Sequence, residues 1–455
     1  MKKIYTILLM ICIITPGFIM FTNITSSQPT FFNSLELYDI SVEPMLAAEL
    51  QDTTAEDYGA WPSASPWWYD LVDKENVAND GEGVYVAVLD TGLMDLWPFF
   101  FPEGDIAWEL GKGFTHDLWW DDVYGDVMMS ELKDDRGFIT DLASGHGTHV
   151  TSTIIGFNYN NYFYVDGIAP KATIIPVLVL DAWEVDSPYG VLQFSGGTDE
   201  MISAGIYYIA DLAEELDGPV IINMSLGGPS PTAMIEAAID YAIAKGIIVV
   251  VAAGNEGEAG MDYPGAYDQV ISTAACGWTE TLYHSLWTGE GWTVDVPEEL
   301  NVPDIFGNEY QVYLEDFSGR PNATLGQKHH DLDVMAPGAW IFGPYKPKFT
   351  YDIGYWYVSG TSMSAPHVSA IAALILQDYP EFDQKDIEHI LKIAAGGVGQ
   401  NMLRGFPKEA TNVIVAYVPG WIYYASWGRH DYGRGFLQCD EAMFYAAHYK
   451  VGHSK

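Results

Sequence analysis

An aspartate, a histidine and a serine each stand among small residues where this chain is expected to turn: Asp90-Thr91-Gly92, Gly145-His146-Gly147-Thr148-His149 and Gly360-Thr361-Ser362-Met363-Ser364-Ala365-Pro366. Together they offer an orienting acid, a base and a nucleophile, the set required for acyl transfer through a covalent intermediate. Asp90 would fix the imidazole tautomer and stabilise the imidazolium formed when His146 takes the Ser362 proton. A helix starting at Ser362 would aim backbone N–H groups at a developing oxyanion. A second donor is needed, and Asn255 in Ala252-Ala253-Gly254-Asn255-Glu256-Gly257 offers a carboxamide. Each motif also has a plain reading: Asp-Thr-Gly and His-Gly are ordinary turns, Gly-Thr-Ser is an ordinary N-cap, and Asn255 fits a turn. His149 reads as a packed histidine. The order Asp, His, Ser is what makes the set specific. It also disfavours an α/β-hydrolase, whose nucleophile sits in a Gly-x-Ser-x-Gly elbow that Ser362 lacks.

Positioning such residues requires a rigid frame, and the intervening sequence supplies its pattern. Short apolar runs at 84–89, 172–180, 220–224 and 246–252 read as buried strands. Helical patterns fall at 198–216, 231–245, 362–377 and 383–394. Buried strands alternating with amphipathic helices predict an α/β protein whose mostly parallel sheet carries helices on both faces. Residue 90 then lies at a strand's carboxyl end, where open parallel sheets place their ligands. Pro366 is expected in the first turn of the Ser362 helix. Two stretches interrupt the rhythm, 109–141 and 278–315, and both read as surface excursions.

The chain has 455 residues, 49% of them hydrophobic, enough for one large core. Residues 1–21 hold Lys2 and Lys3 before an uncharged apolar run, the form of an export signal or, uncleaved, of a membrane anchor. Residues 22–66 suggest a linker or short pro-segment, 67–448 the folded domain and 449–455 a tail. The expected location is secreted or at the cell surface, with the membrane reached only through the N-terminal run. Sixty-two acids against twenty bases give a formal charge of -42, which makes nucleic acid an improbable partner. Asp117, Asp121, Asp122 and Asp126 fit either a calcium loop or a solvated acidic loop. Outside the leader, Cys276 and Cys439 could pair or remain two buried thiols, and neither has the neighbours of a zinc site.

The motifs around Asp90, His146, Asn255 and Ser362 resemble those of the subtilisin-like serine proteases. Further stretches agree: Gly167-Ile168-Ala169-Pro170, Asn223-Met224-Ser225-Leu226-Gly227-Gly228, Tyr263-Pro264-Gly265, Asp333-Val334-Met335-Ala336-Pro337-Gly338 and Asp431-Tyr432-Gly433-Arg434-Gly435. The resemblance implies a three-layer subtilisin-like fold and a monomeric endopeptidase acting on polypeptides, with no cofactor for the chemistry and calcium only in a structural role. It assigns Ser362 as nucleophile, His146 as base then acid, Asp90 as its orienting partner and Asn255 to the oxyanion. It also makes Ser225, Leu226 and Gly227, with Ala252, Ala253 and Gly254, two walls of the first specificity pocket, and places Asp262 near its floor. There Asp262 would favour Lys or Arg before the cleaved bond; alternatively it points to solvent. The segment before residue 67 is short for the family's inhibitory folding domain. A surface binding protein on the same scaffold is the competing reading, and replacement of any of the four chemical residues would favour it.

Overall fold

The computed structural model describes residues 63–279, 296, 312–396, 410–418 and 421–449. The export signal or anchor, nearly all of the linker or pro-segment, most of 278–315 and the tail beyond Tyr449 lie outside the described residues.

Strands in the centre of the sheet are largely apolar and rich in Val and Ile, because both of their faces are covered. In Tyr85–Asp90, Val86 and Val88 join one core cluster while Ala87 and Leu89 join the other. Val220–Met224 and Ile248–Ala252 divide in the same way. Asp199–Leu212 and Ala233–Ala244 cover one face; His146–Ile155, Thr361–Asp378, Gln384–Gly396 and Cys439–His448 cover the other. Three layers result. Thr198 and Thr232 cap the first two helices by accepting from Met201 N and Ile235 N, each at 3.2 Å.

The nine-stranded sheet runs Val312–Leu314, Ile271–Trp278, Ile248–Ala252, Val220–Met224, Tyr85–Asp90, Thr173–Leu178, Lys112–Thr115 and Lys133–Arg136, with Val334–Pro337 also paired to Ile271–Trp278. Its interior pairs are parallel; Val312–Leu314 and Lys133–Arg136 pair antiparallel. The sequence reading of 109–141 as an excursion therefore needs correcting. Buried Phe114 draws Lys112–Thr115 into the sheet, and only the hairpin of Leu118–Asp121 and Asp126–Met129 projects from it. Cys276 and Cys439 are both free and buried, and burial pushes both thiols up, which leaves them unreactive. No helix among the described residues is long and apolar enough to cross a membrane.

Candidate active site

Asp90 is the last residue of its strand, paired in register with Leu178, and is fully buried. Gly92 has φ +73°, and a Cβ there would lie 1.9 Å from the Phe138 carbonyl oxygen, so only glycine permits this turn. The turn returns the chain against the start of the His146 helix. His146 Nδ1 lies 2.8 and 2.9 Å from the two carboxylate oxygens of Asp90. Gly147 allows that approach: its Cβ would sit 2.3 Å from the Gly92 carbonyl oxygen. Two threonines fasten the motifs together. Gly147 N donates to Thr91 Oγ1 and Met94 N to Thr148 Oγ1, both at 2.9 Å. Thr91 N donates to Asp90 Oδ1 at 2.6 Å, giving the buried carboxylate a further partner.

The other face of the imidazole is poised differently. His146 Nε2 is buried and has no hydrogen-bond partner among the described residues. His149 is packed as expected, its Nε2 donating to the Ile341 carbonyl at 3.0 Å, and burial and then His146 push its pKa down to about 3. Burial likewise holds His367 down at about 4. Both stay neutral through the physiological range.

Ser362 is the second residue of Thr361–Asp378, a helix entered from Gly360. Its N–H comes before the first intrahelical acceptor and is therefore open to a ligand. Pro366 lies farther in than a first-turn position: it is inside the helix, where it removes the N–H that would bond the Ser362 carbonyl. The structure repairs this across the sheet. Ser225 Oγ donates to that carbonyl at 2.7 Å, and Ser362 Oγ donates back to the Ser225 carbonyl at 3.1 Å. Asn223 Nδ2 donates to Ser225 Oγ at 3.1 Å, while Asn223 Oδ1 accepts from Ser369 Oγ at 2.9 Å. An unsatisfied buried carbonyl would cost about 1–3 kcal/mol. Ser225 thus positions the nucleophile's helix, a role its sequence position did not reveal. The Ser362 hydroxyl is thus held in a resting bond, and catalytic hydrogen bonds often form only with substrate bound.

Asn255 is held at its carbonyl end: Oδ1 accepts from Thr361 N at 2.9 Å and Thr361 Oγ1 at 3.2 Å. With the oxygen committed, the amide's Nδ2 is the end left to donate, beside the start of the serine helix. If Asn255 donates to the oxyanion, Asn255→Ala is expected to lower kcat by about 10²–10³, the usual loss when one such donor is removed, with little change in KM. Steady-state kinetics on one peptide substrate checks this.

Buried Ser225, Leu226, Ala252, Ala253 and Gly254, with part-exposed Gly227, form two neighbouring segments, and Asp262 lies between them. Tyr263 and Gly228 exchange backbone hydrogen bonds at 2.8 and 2.9 Å, while Asp262 N donates to the Ala253 carbonyl at 2.8 Å. Side-chain atoms of Asp262 come within 2.7 Å of where a Cβ on Gly227 would be and 2.8 Å of one on Gly254. Glu256 Oε2 is also 2.8 Å from that Gly254 position. Sequence reasoning passed over Glu256, although it directly follows Asn255. The four candidate calcium aspartates do not converge in the projecting hairpin: Asp117 pairs with Lys133, Asp121 accepts from Val123 N and Tyr124 N, Asp122 from Trp120 Nε1, and Asp126 from Val127 N. The metal-ligating atoms that do converge among the described residues belong to Asp268, His330 and Asp331.

Comparison with known proteins finds relatives over most of the chain. The model of the Subtilase family matches residues 81–412. Subtilisin DY of Bacillus licheniformis is 31% identical over 277 residues, 60% of this chain and 77% of that protein. M-protease of Shouchella clausii is 28% identical over 375 residues, 81% of this chain and 75% of that protein. Among solved structures, S41 psychrophilic protease superposes with a TM-score of 0.52 at 26% identity, covering 83% of this chain and 99% of its own.

Proposed function

Because the chain belongs to the subtilase family, and is thus a serine peptidase acting on polypeptides, we propose that it is an exported endopeptidase in which Ser362, His146, Asp90 and Asn255 carry the reaction. His146 takes the Ser362 proton as Oγ attacks the peptide carbonyl, then donates it to the leaving amine. Water hydrolyses the acyl-enzyme with the same base. Asp90 holds the tautomer that leaves Nε2 free to accept, and Ser362 N with Asn255 Nδ2 stabilises the oxyanion. The observation that carries this reading is the buried imidazole, bonded through Nδ1 to both oxygens of Asp90 with Nε2 unpartnered. Export rests on the form of residues 1–21.

We further propose a preference for Lys or Arg before the scissile bond, because Asp262 places a carboxyl between the segments Ser225-Leu226-Gly227 and Ala252-Ala253-Gly254. The test is the set of cuts the purified protein makes in a mixed peptide library, with and without a chelator. Cuts enriched after Lys and Arg, and losing that enrichment in Asp262→Gly, are the expected result. An unchanged profile in the variant would remove Asp262 from recognition, and no cleavage by folded protein would remove the endopeptidase reading. Loss of activity on chelation would indicate structural calcium.

A further inference from the structure

Glu256 is exposed and Asp262 half-buried, yet both reach the space that Gly254 leaves open by lacking a side chain. Two carboxyls so close cannot both ionise freely. Burial first, and Glu256 second, push the Asp262 carboxyl up to about 8. The neighbouring segments 225–228 and 252–267 contain no cationic side chain to relieve it. The segment 225–228 brings no titratable side chain, and 263–267 brings only Tyr263 and Tyr267, whose rings are 5.0 Å apart. Beyond Gly257 lies the backbone of Asp316. Arg320 is engaged by Glu258 at 3.5 Å and Asp431 at 3.6 Å. Glu256 Oε2 accepts from Asn255 N at 2.8 Å, which fixes its carboxylate toward the pocket.

We propose that Glu256 sets the pH range over which the pocket selects basic residues: its charge keeps a proton on Asp262 while the pocket is empty, and an entering Lys or Arg side chain displaces that proton, so selectivity for basic residues grows as pH rises. This rests on the endopeptidase reading and deepens it. At low pH the pocket holds one negative charge and a neutral carboxylic acid, which tolerates uncharged side chains. As Asp262 ionises, the pocket gains a second charge that only a cation neutralises. Because Asp262 is raised above the ordinary carboxylate range, the gain falls between about pH 6 and about pH 9, well above where an isolated aspartate would titrate. The binding step is balanced: a cation enters and one proton leaves to solvent.

The experiment compares kcat/KM for peptides differing only in the residue before the cleaved bond, Arg, Gln or Leu, across that pH range. Ionisation of His146 affects all three alike and cancels in their ratio, as does any general effect of a variant on the neighbouring Asn255. In the unaltered protein the Arg/Gln ratio is expected to rise at least about tenfold. Glu256→Gln should remove the repulsion while burial remains, so that Asp262 ionises lower and the rise in the ratio shifts to lower pH. Asp262→Asn should leave it low and flat. A flat ratio in the unaltered protein, or a rise at the same pH in Glu256→Gln, overturns the proposal. If Arg is preferred and Asp262→Asn abolishes that preference while Glu256→Gln has no effect, the pair fails and the Asp262 reading stands. Absence of cleavage of all three peptides would instead sink the endopeptidase reading.

Discussion

Ser362→Ala is expected to reduce turnover by about 10⁶, a magnitude taken from the equivalent change in subtilisin, and to abolish labelling by serine-directed acylating reagents. In the proposed mechanism the lost hydroxyl is the nucleophile, so no acyl-enzyme would form. Binding should persist, because KM depends on the pocket and cleft, which the substitution leaves in place. Ser362 Oγ makes one resting hydrogen bond, to the Ser225 carbonyl, while the reciprocal bond from Ser225 Oγ to the Ser362 carbonyl uses backbone and survives. The folded state should therefore change little, with a thermal midpoint close to that of the unaltered protein. Measuring kcat with purified variant, alongside that midpoint, separates lost chemistry from lost structure. Activity within tenfold of the unaltered protein would show that Ser362 is not the nucleophile.

For Asp90→Asn the expected loss is about 10⁴ in kcat, the size seen for such a change in other serine proteases, again with KM nearly unchanged. The physical cause differs from that of the serine variant. Asp90 accepts from His146 Nδ1 with both oxygens and from Thr91 N as well. An asparagine would offer an N–H to the imidazole, favouring the tautomer with its proton on Nε2. That nitrogen could then no longer accept the serine proton. Because Asp90 and His146 are both fully buried, water cannot readily take over the orienting role. Kinetics combined with imidazole proton resonances would read both effects. A variant with normal kcat, or with its proton still on Nδ1, would refute the assignment of Asp90 as the orienting acid.

The mutual locking of the motifs explains how much was legible before any coordinates. Gly92 and Gly147 are small because backbone and side chains approach them closely, and Thr91 and Thr148 stand where their hydroxyls reach the partner motif. Such requirements are met by residue type at fixed local spacing, so Asp90, His146 and Ser362 could be singled out as candidates from short words. The central strands could be located for a related reason: burial on both faces favours a nearly continuous apolar run. Val220–Met224 falls where its sequence places it, and Ile248–Ala252 within the expected run.

Other features depended on partners too distant for any local pattern to indicate. The segment 109–141 is acidic throughout much of its length, yet Phe114 finds a place in the core and brings Lys112–Thr115 beside Thr173–Leu178. Pro366 fits an ordinary helix start until the carbonyl it frees is found bonded to Ser225, 137 residues away in sequence.

By itself the sequence determined the family and the type of frame, since the candidate nucleophile, base, acid and oxyanion donor stand in short words of fixed spacing, and a buried parallel sheet requires apolar runs. Only the tertiary structure decided how the serine helix is secured and that Glu256 and Asp262 share one space. The first needs a hydroxyl delivered from another strand, and the second needs a glycine between two carboxyls; both are properties of distance in the folded chain, which periodicity and spacing do not encode.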